Sequence, residues 1–132
     1  MTVAYVESSA AAKLILDEDE TTALRDALAR AVDRVASELV VTEVTRAAAR
    51  IDGDRGRARA RARLLALELV PVDRPILDRA AELDPVSLRS LDAIHVATAL
   101  ALESRELVFY AYDHRTLDAA AANGLTVASP GV

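Results

Sequence analysis

The chain contains no cysteine, so disulfide frameworks, cysteine zinc sites and thiol nucleophiles are excluded. It has no tryptophan, one phenylalanine and three tyrosines, too few for an aromatic platform that stacks bases. With two histidines, His95 and His114, there is no histidine-rich metal site. Glycine and proline number four each. No glycine-rich phosphate loop exists, since no glycine precedes a Lys-Ser or Lys-Thr pair. The first residues, MTVAYVESSAAAKL, carry neither a basic region ahead of an apolar core nor a long apolar run, so neither a signal peptide nor a membrane anchor is expected. A cytoplasmic protein is the default expectation.

What remains is a chain of 132 residues, 52% hydrophobic and 28% charged, which fits one folded domain over 1–132. The net charge is −5, which argues against non-specific coating of nucleic acid. It does not argue against a nuclease, which must gather carboxylates to hold metal.

Short β-prone runs alternate with helical patterns from end to end. Strands are expected at Val3–Val6, Val35-Ala36, Leu69–Val72, Leu107–Tyr112 and Leu125–Ala128. Helices are expected over 10–16, at Ala23–Val32 behind Thr21 and Thr22 as caps, and at Glu38–Ile51 behind Ser37. Asp52-Gly53-Asp54 reads as a turn, followed by helix over Arg55–Leu67. Further helices are expected at Pro75–Leu83, at Leu91–Leu102 behind Ser90, and at His114–Asn123 closed by Gly124. Such alternation predicts an α/β protein with a mostly parallel sheet covered on both faces.

In open parallel sheets ligands bind beyond the carboxyl ends of the strands. Glu7 follows the first strand directly, and Asp113 follows the run Leu107–Tyr112. Asp92 falls in the first turn after Ser90. Glu43 lies inside the helix Glu38–Ile51. Four carboxylates without histidine suit a hard cation, Mg²⁺ or Mn²⁺, and hence phosphate-ester hydrolysis. Each acid also has an ordinary structural reading. Asp92 is favoured in a first turn by the helix dipole, Asp113 is a common cap, and Glu43 and Glu7 can be solvated surface charges.

The order of these pieces resembles the PIN-domain ribonucleases, and within them the VapC toxins of toxin–antitoxin pairs. The stretch Tyr5-Val6-Glu7-Ser8-Ser9-Ala10 with Lys13-Leu14 is similar to the first motif of that family. Ser37-Glu38-Leu39, Thr42-Glu43-Val44 and Arg46-Ala47 are similar to the second. Leu88-Arg89-Ser90-Leu91-Asp92-Ala93-Ile94-His95-Val96-Ala97-Thr98-Ala99 is the most specific. Tyr112-Asp113, Leu117, Ala119-Ala120, Gly124-Leu125 and Ser129-Pro130-Gly131 are similar to the last.

The resemblance implies a PIN-like three-layer α/β/α fold with a sheet of four or five strands. It implies a Mg²⁺- or Mn²⁺-dependent endoribonuclease acting on structured RNA, tRNA or rRNA, with Glu7, Glu43, Asp92 and Asp113 as catalytic and metal-binding acids. It also implies a homodimer and a cognate antitoxin.

One departure stands out: the family's first acid is normally Asp, and here it is Glu7. The extra methylene carries the carboxylate about 1.5 Å further, so lowered activity is expected. A PIN-like module that binds RNA or an antitoxin with weak or no catalysis is therefore the alternative. A signalling receiver domain would need a late lysine, and Lys13 is the only lysine.

Ser8 and Ser9 match hydroxyls that hydrogen-bond a metal ligand or water, and read equally as helix caps. His95, one turn after Asp92, reads more readily as a packed core residue than as part of the site. Arg89 can pair with Asp92 or meet a phosphate. Arg55, Arg57 and Arg59, continued by Arg61 and Arg63, read as a solvated helix or as contacts to RNA or to an acidic antitoxin.

Overall fold

A computed structural model describes all residues from Met1 to Val132. Five strands, β1 (Val3–Val6), β2 (Asp33–Ser37), β3 (Glu68–Val70), β4 (Leu107–Tyr110) and β5 (Thr126–Ala128), form one sheet in the order β3-β2-β1-β4-β5. Every pairing is parallel. Six helices connect them: α1 (Ser8–Ile15), α2 (Thr21–Ala29), α3 (Leu39–Leu64), α4 (Arg74–Ala81), α5 (Ser90–Ala101) and α6 (His114–Ala122). None is long and apolar enough to cross a membrane.

The central strands are buried on both faces, as parallel strands under helical layers must be. Side chains alternate along a strand, so Ala4 and Val6 of β1 join one core while Tyr5 joins the other. The first core packs α1, α2 and α3 through Ala11, Leu24, Val40, Val44 and Leu64. The second holds α5 through Val96 and Ala99 around Tyr5 and Phe109, whose rings stack with centroids 5.1 Å apart. A smaller cluster, Ile76, Ala80, Ala93 and Ala97, joins α4 to α5. The three-layer α/β/α architecture expected from the sequence is the one observed, with five strands and no antiparallel member.

From β1 the chain steps outward through β2 to β3, then crosses to β4 on the other side of β1. The strand order therefore reverses between β1 and β4. That switch point opens a crevice at the carboxyl ends of both strands. The Glu7 amide donates to the Tyr110 carbonyl at 3.0 Å, tying the two strand ends together there.

The turn expected at Asp52-Gly53-Asp54 is present as a kink inside α3. Gly53 adopts φ +51°, a conformation that only glycine takes without strain, and the helix resumes behind it. The two arms close on each other so tightly that a Cβ at Gly56 would lie 2.2 Å from the Ala48 carbonyl oxygen.

Several caps differ from expectation. Thr21 is the first residue of α2, and its hydroxyl is buried against the Lys13 carbonyl at 2.7 Å. Ser90 is likewise the first residue of α5, and the cap position is held by Arg89 with no side-chain bond. Tertiary packing took the Thr21 hydroxyl away from capping. Ser37 remains in β2 yet accepts from the Leu39 amide at 3.2 Å, so it does close the start of α3. The expected strand to Tyr112 ends at Tyr110, because Tyr112 turns to bond Ser9 and Pro130.

Candidate active site

Glu7 stands at the junction of β1 and α1 and is 4% exposed. Its carboxylate caps α1, accepting from the Ser9 amide at 2.9 Å and from the Ser9 hydroxyl at 2.5 Å. Ser9 Oγ in turn accepts from the Tyr112 amide at 2.8 Å, so the segment after β4 helps to set the Glu7 oxygens. Burial pushes the Glu7 carboxyl above the usual carboxylate range. The Ser9 bonds pull it down, while the charge of Asp92 pushes it up further. Like carboxylates held in one crevice repel in this way until a cation joins them.

Glu43 sits in the second turn of α3, where the helix passes the end of β1. Ser8 Oγ donates to its Oε1 at 2.6 Å. His95 Nε2 lies 2.8 Å from the same oxygen and 2.8 Å from Ser8 Oγ. His95 itself is fully buried. Its Nδ1 is 2.8 Å from Tyr5 Oη, which also accepts from the Ser37 amide at 3.3 Å. Burial drives the Tyr5 hydroxyl well above the usual phenol range, so it keeps its proton. A ring protonated on Nε2 then satisfies both nitrogens: Tyr5 donates to Nδ1, and Nε2–H points at Glu43. Half-burial raises Glu43, but the bonds from His95 and Ser8 outweigh it and hold the carboxyl below its ordinary value.

Asp92 lies in the first turn of α5, its side chain 14% exposed. Asp113 caps α6 by accepting from the Arg115 amide at 3.0 Å. Arg89 bridges the two: Nε donates to Asp92 Oδ2 at 3.1 Å and Nη2 to Asp113 Oδ2 at 3.3 Å. A cavity of about 330 Å³ is lined by Glu43, Arg89, Ser90, Leu91 and Asp92.

The four acids expected from the sequence thus occur as an arranged pair around Ser8, Ser9 and His95 and a second pair joined by Arg89. In this arrangement no three His, Asp or Glu side chains already converge on one point. The donor set nevertheless fits a hard divalent cation: it offers oxygen donors only, among them the buried Glu7, raised by burial and further by the charge of Asp92. Arg89 supplies a positive charge between Asp92 and Asp113, as a cation would. Ser8 and Ser9 at the start of α1 each donate a hydroxyl to one of the acids, Ser8 to Glu43 and Ser9 to Glu7. His95, expected as a packed core residue, is buried, and its ring also bonds Glu43 on one side and Tyr5 on the other. The signal was available, since a histidine inside the apolar run Ala93–Leu102 must find buried polar partners.

Arg55, Arg57 and Arg59 lie on the second arm of α3, all exposed. Arg57 pairs with Asp54 at 2.7 Å and Arg59 with Asp52 at 3.6 Å. Neither contacts the four acids.

Acids set around the switch point of a five-stranded parallel sheet define an α/β domain with an acidic crevice. Residues 4–122 match the family model described as PIN domain. Over 131 residues the chain is 42% identical to Ribonuclease VapC46 of Mycobacterium tuberculosis, spanning 98% of this chain and 99% of that protein. In fold it is similar to the Mycobacterium tuberculosis sarcin-ricin loop cleaving toxin VapC20, with a TM-score of 0.76, 19% identity, and 96% and 99% of the two chains covered. It is similar also to a chain of a toxin–antitoxin complex from Klebsiella pneumoniae, with a TM-score of 0.72, 18% identity and 98% of each chain covered. The chain belongs to the PIN-domain family, in its VapC ribonuclease branch.

Proposed function

We propose that the chain is a Mg²⁺- or Mn²⁺-dependent endoribonuclease, the toxin of a toxin–antitoxin pair, cutting phosphodiesters of structured RNA such as tRNA or rRNA. Glu7, Glu43, Asp92 and Asp113 are its metal-binding and catalytic acids. The observation that carries this reading is that Glu43 and Asp92 line one cavity, with the charge of Asp92 felt at Glu7, in a parallel-sheet chain 42% identical to a ribonuclease. The ion, when bound, polarises the phosphoryl oxygen and lowers the pKa of a water.

The protein's own groups then do the remaining work. Ser9 fixes Glu7, and Ser8 with His95 fixes Glu43, so two acids are held before substrate arrives. Asp92 and Asp113, which Arg89 bridges, would hold the ion together with Glu7 and Glu43, and the Arg89 guanidinium beside them is placed to bind a phosphate. Glu7 in place of the usual Asp lowers the rate without abolishing it. A cytoplasmic location, a homodimer and an antitoxin partner belong to the same reading. The Klebsiella complex supports the antitoxin.

The test is incubation of the purified chain with bulk tRNA and ribosomal RNA. Cleavage with Mn²⁺ or Mg²⁺ that stops in chelator is expected. No cleavage across metals and RNAs would contradict the proposal in favour of a module that only binds.

A further inference from the structure

The helix α3 is the most basic part of the molecule. Its residues 39–64 hold seven arginines against three acids, in a chain whose net charge is −5. Three of these arginines converge. Arg46 and Arg50 on the first arm and Arg57 on the second line one concavity of about 180 Å³, floored by Ala49. Neither Arg46 nor Arg50 has an acidic partner within 4.0 Å, the ion-pair distance that Arg57 meets with Asp54. The Asp54 side chain is 99% exposed and that of Arg57 47%, so this pair is weak and exchanges readily for a stronger anion. The two arms that frame the concavity are held close together by the contact of Gly56 with Ala48.

Its position relative to the acids gives the site its meaning. Arg46 and Arg50 follow Glu43 by three and seven residues, so all three share one side of the first arm. At 1.5 Å per residue the arginines lie roughly 4.5 Å and 10.5 Å further along the helix axis than Glu43. A polyanion whose scissile phosphate reaches Glu43 can continue along this row, and its next phosphates meet guanidinium groups.

We propose that Arg46, Arg50 and Arg57 form a phosphate-binding subsite for the RNA backbone beyond the scissile bond. This rests on the ribonuclease reading for the choice of anion. RNA is favoured over an acidic protein segment because the row starts at an active-site acid and presents planar guanidinium groups, which bind phosphate in bidentate fashion. Of the arginines expected from the sequence only Arg57 lines this concavity; the partner-free arginines there are Arg46 and Arg50.

The experiment measures binding of a fluorescein-labelled tRNA by anisotropy, in chelator, across a salt series. The full-length chain is compared with the variant Arg46→Ala/Arg50→Ala/Arg57→Ala. The slope of log K against log[salt] is expected to become shallower by about 2, near 0.7 for each lost phosphate contact. The Lys triple variant at the same positions is expected to retain most of the slope, and circular dichroism must show that all variants are folded. A charge-matched control, Arg25→Ala/Arg74→Ala/Arg105→Ala, is expected to keep the slope of the unmodified chain.

An unchanged slope in the first variant overturns the proposal. So does an equal loss in the charge-matched control, which would mean that only net charge matters. An unchanged RNA slope with lost affinity for a poly-glutamate peptide would overturn it in favour of docking an acidic protein segment. Cleavage is not measured, so a chain that fails to cut RNA but loses this slope keeps the subsite and loses the ribonuclease reading.

Discussion

His95 Nε2 and Glu43 Oε1 stand 2.8 Å apart, joining a fully buried ring on α5 to an acid on α3 whose side chain is 26% exposed. The far side of the ring is held by Tyr5 Oη, also at 2.8 Å, so Glu43 is oriented through a chain anchored in the core. Removing the ring should loosen the acid without touching substrate. We expect His95→Ala to weaken Mn²⁺ affinity by about 10- to 100-fold, the usual cost of losing a group that orients a ligand. His95→Gln, which can still donate to Glu43, should recover part of this. Isothermal titration with Mn²⁺ checks both. Equal affinities in all three proteins would make His95 a packing residue only.

Glu7 is buried and pushed upward, while Glu43 is pulled below its ordinary value. The signs of their effects on stability are opposite. An acid raised on folding keeps its proton longer in the folded state, so stability falls as pH rises from its unfolded pKa to its folded one. An acid lowered on folding adds stability above its unfolded pKa, lost as pH falls through the folded value. Denaturant unfolding in chelator should therefore show Glu7→Gln flatter than the parent just above the ordinary carboxylate range. Glu43→Gln should instead remove the loss of stability on acidification below that range. Identical pH profiles for parent and variants would contradict these assignments.

At Gly56 a methyl group has no room, with the Ala48 carbonyl 2.2 Å from where it would sit. Gly56→Ala should cost about 1–3 kcal/mol through forced separation of the α3 arms, more than the helical preference for alanine returns. Gly53→Ala should also destabilise, because φ is +51° there. Thermal melts decide, and a Gly56→Ala protein as stable as the parent would show that the arms are not locked.

Glu7→Asp draws the first carboxylate back by about one methylene, toward the length usual at this position. Asp is also the better helix cap, so stability should change by no more than about 1 kcal/mol, the scale of one lost buried methylene. RNA cleavage should rise, by up to about 100-fold where misplacement near 1 Å limits the rate. A slower Asp variant would show that Glu7 is a fitted ligand.

The sheet was legible because β1 and β4 are continuous apolar runs followed at once, or nearly so, by acids. The kink in α3 was legible because Asp52-Gly53-Asp54 interrupts an otherwise unbroken helical pattern. Asp113 and Glu7 could be picked out from their place after strands and Asp92 from the first turn of its helix, whereas Glu43, inside a helix, drew its weight mainly from the family motifs. The network through Tyr5, His95 and Ser8 was not legible in the same way. It depends on Tyr5 facing α5 while Ala4 and Val6 face the other core, a matter of strand register and packing between residues 90 positions apart. Arg89 showed its pairing with Asp92 at three-residue spacing, but its second hold on Asp113 needed the fold.

The account's central claim is that four acids form one metal-dependent cutting site. The most direct test is the rate of RNA cleavage in Mn²⁺ by the parent chain and by Glu7→Gln, Glu43→Gln, Asp92→Asn and Asp113→Asn. The account predicts cleavage by the parent that chelator stops, and a loss of about 100-fold or more in Asp92→Asn, the scale of losing a charge-stabilising group at a reacting centre, with large losses in the other three. Cleavage that persists in chelator, or that survives intact in Asp92→Asn, would contradict it.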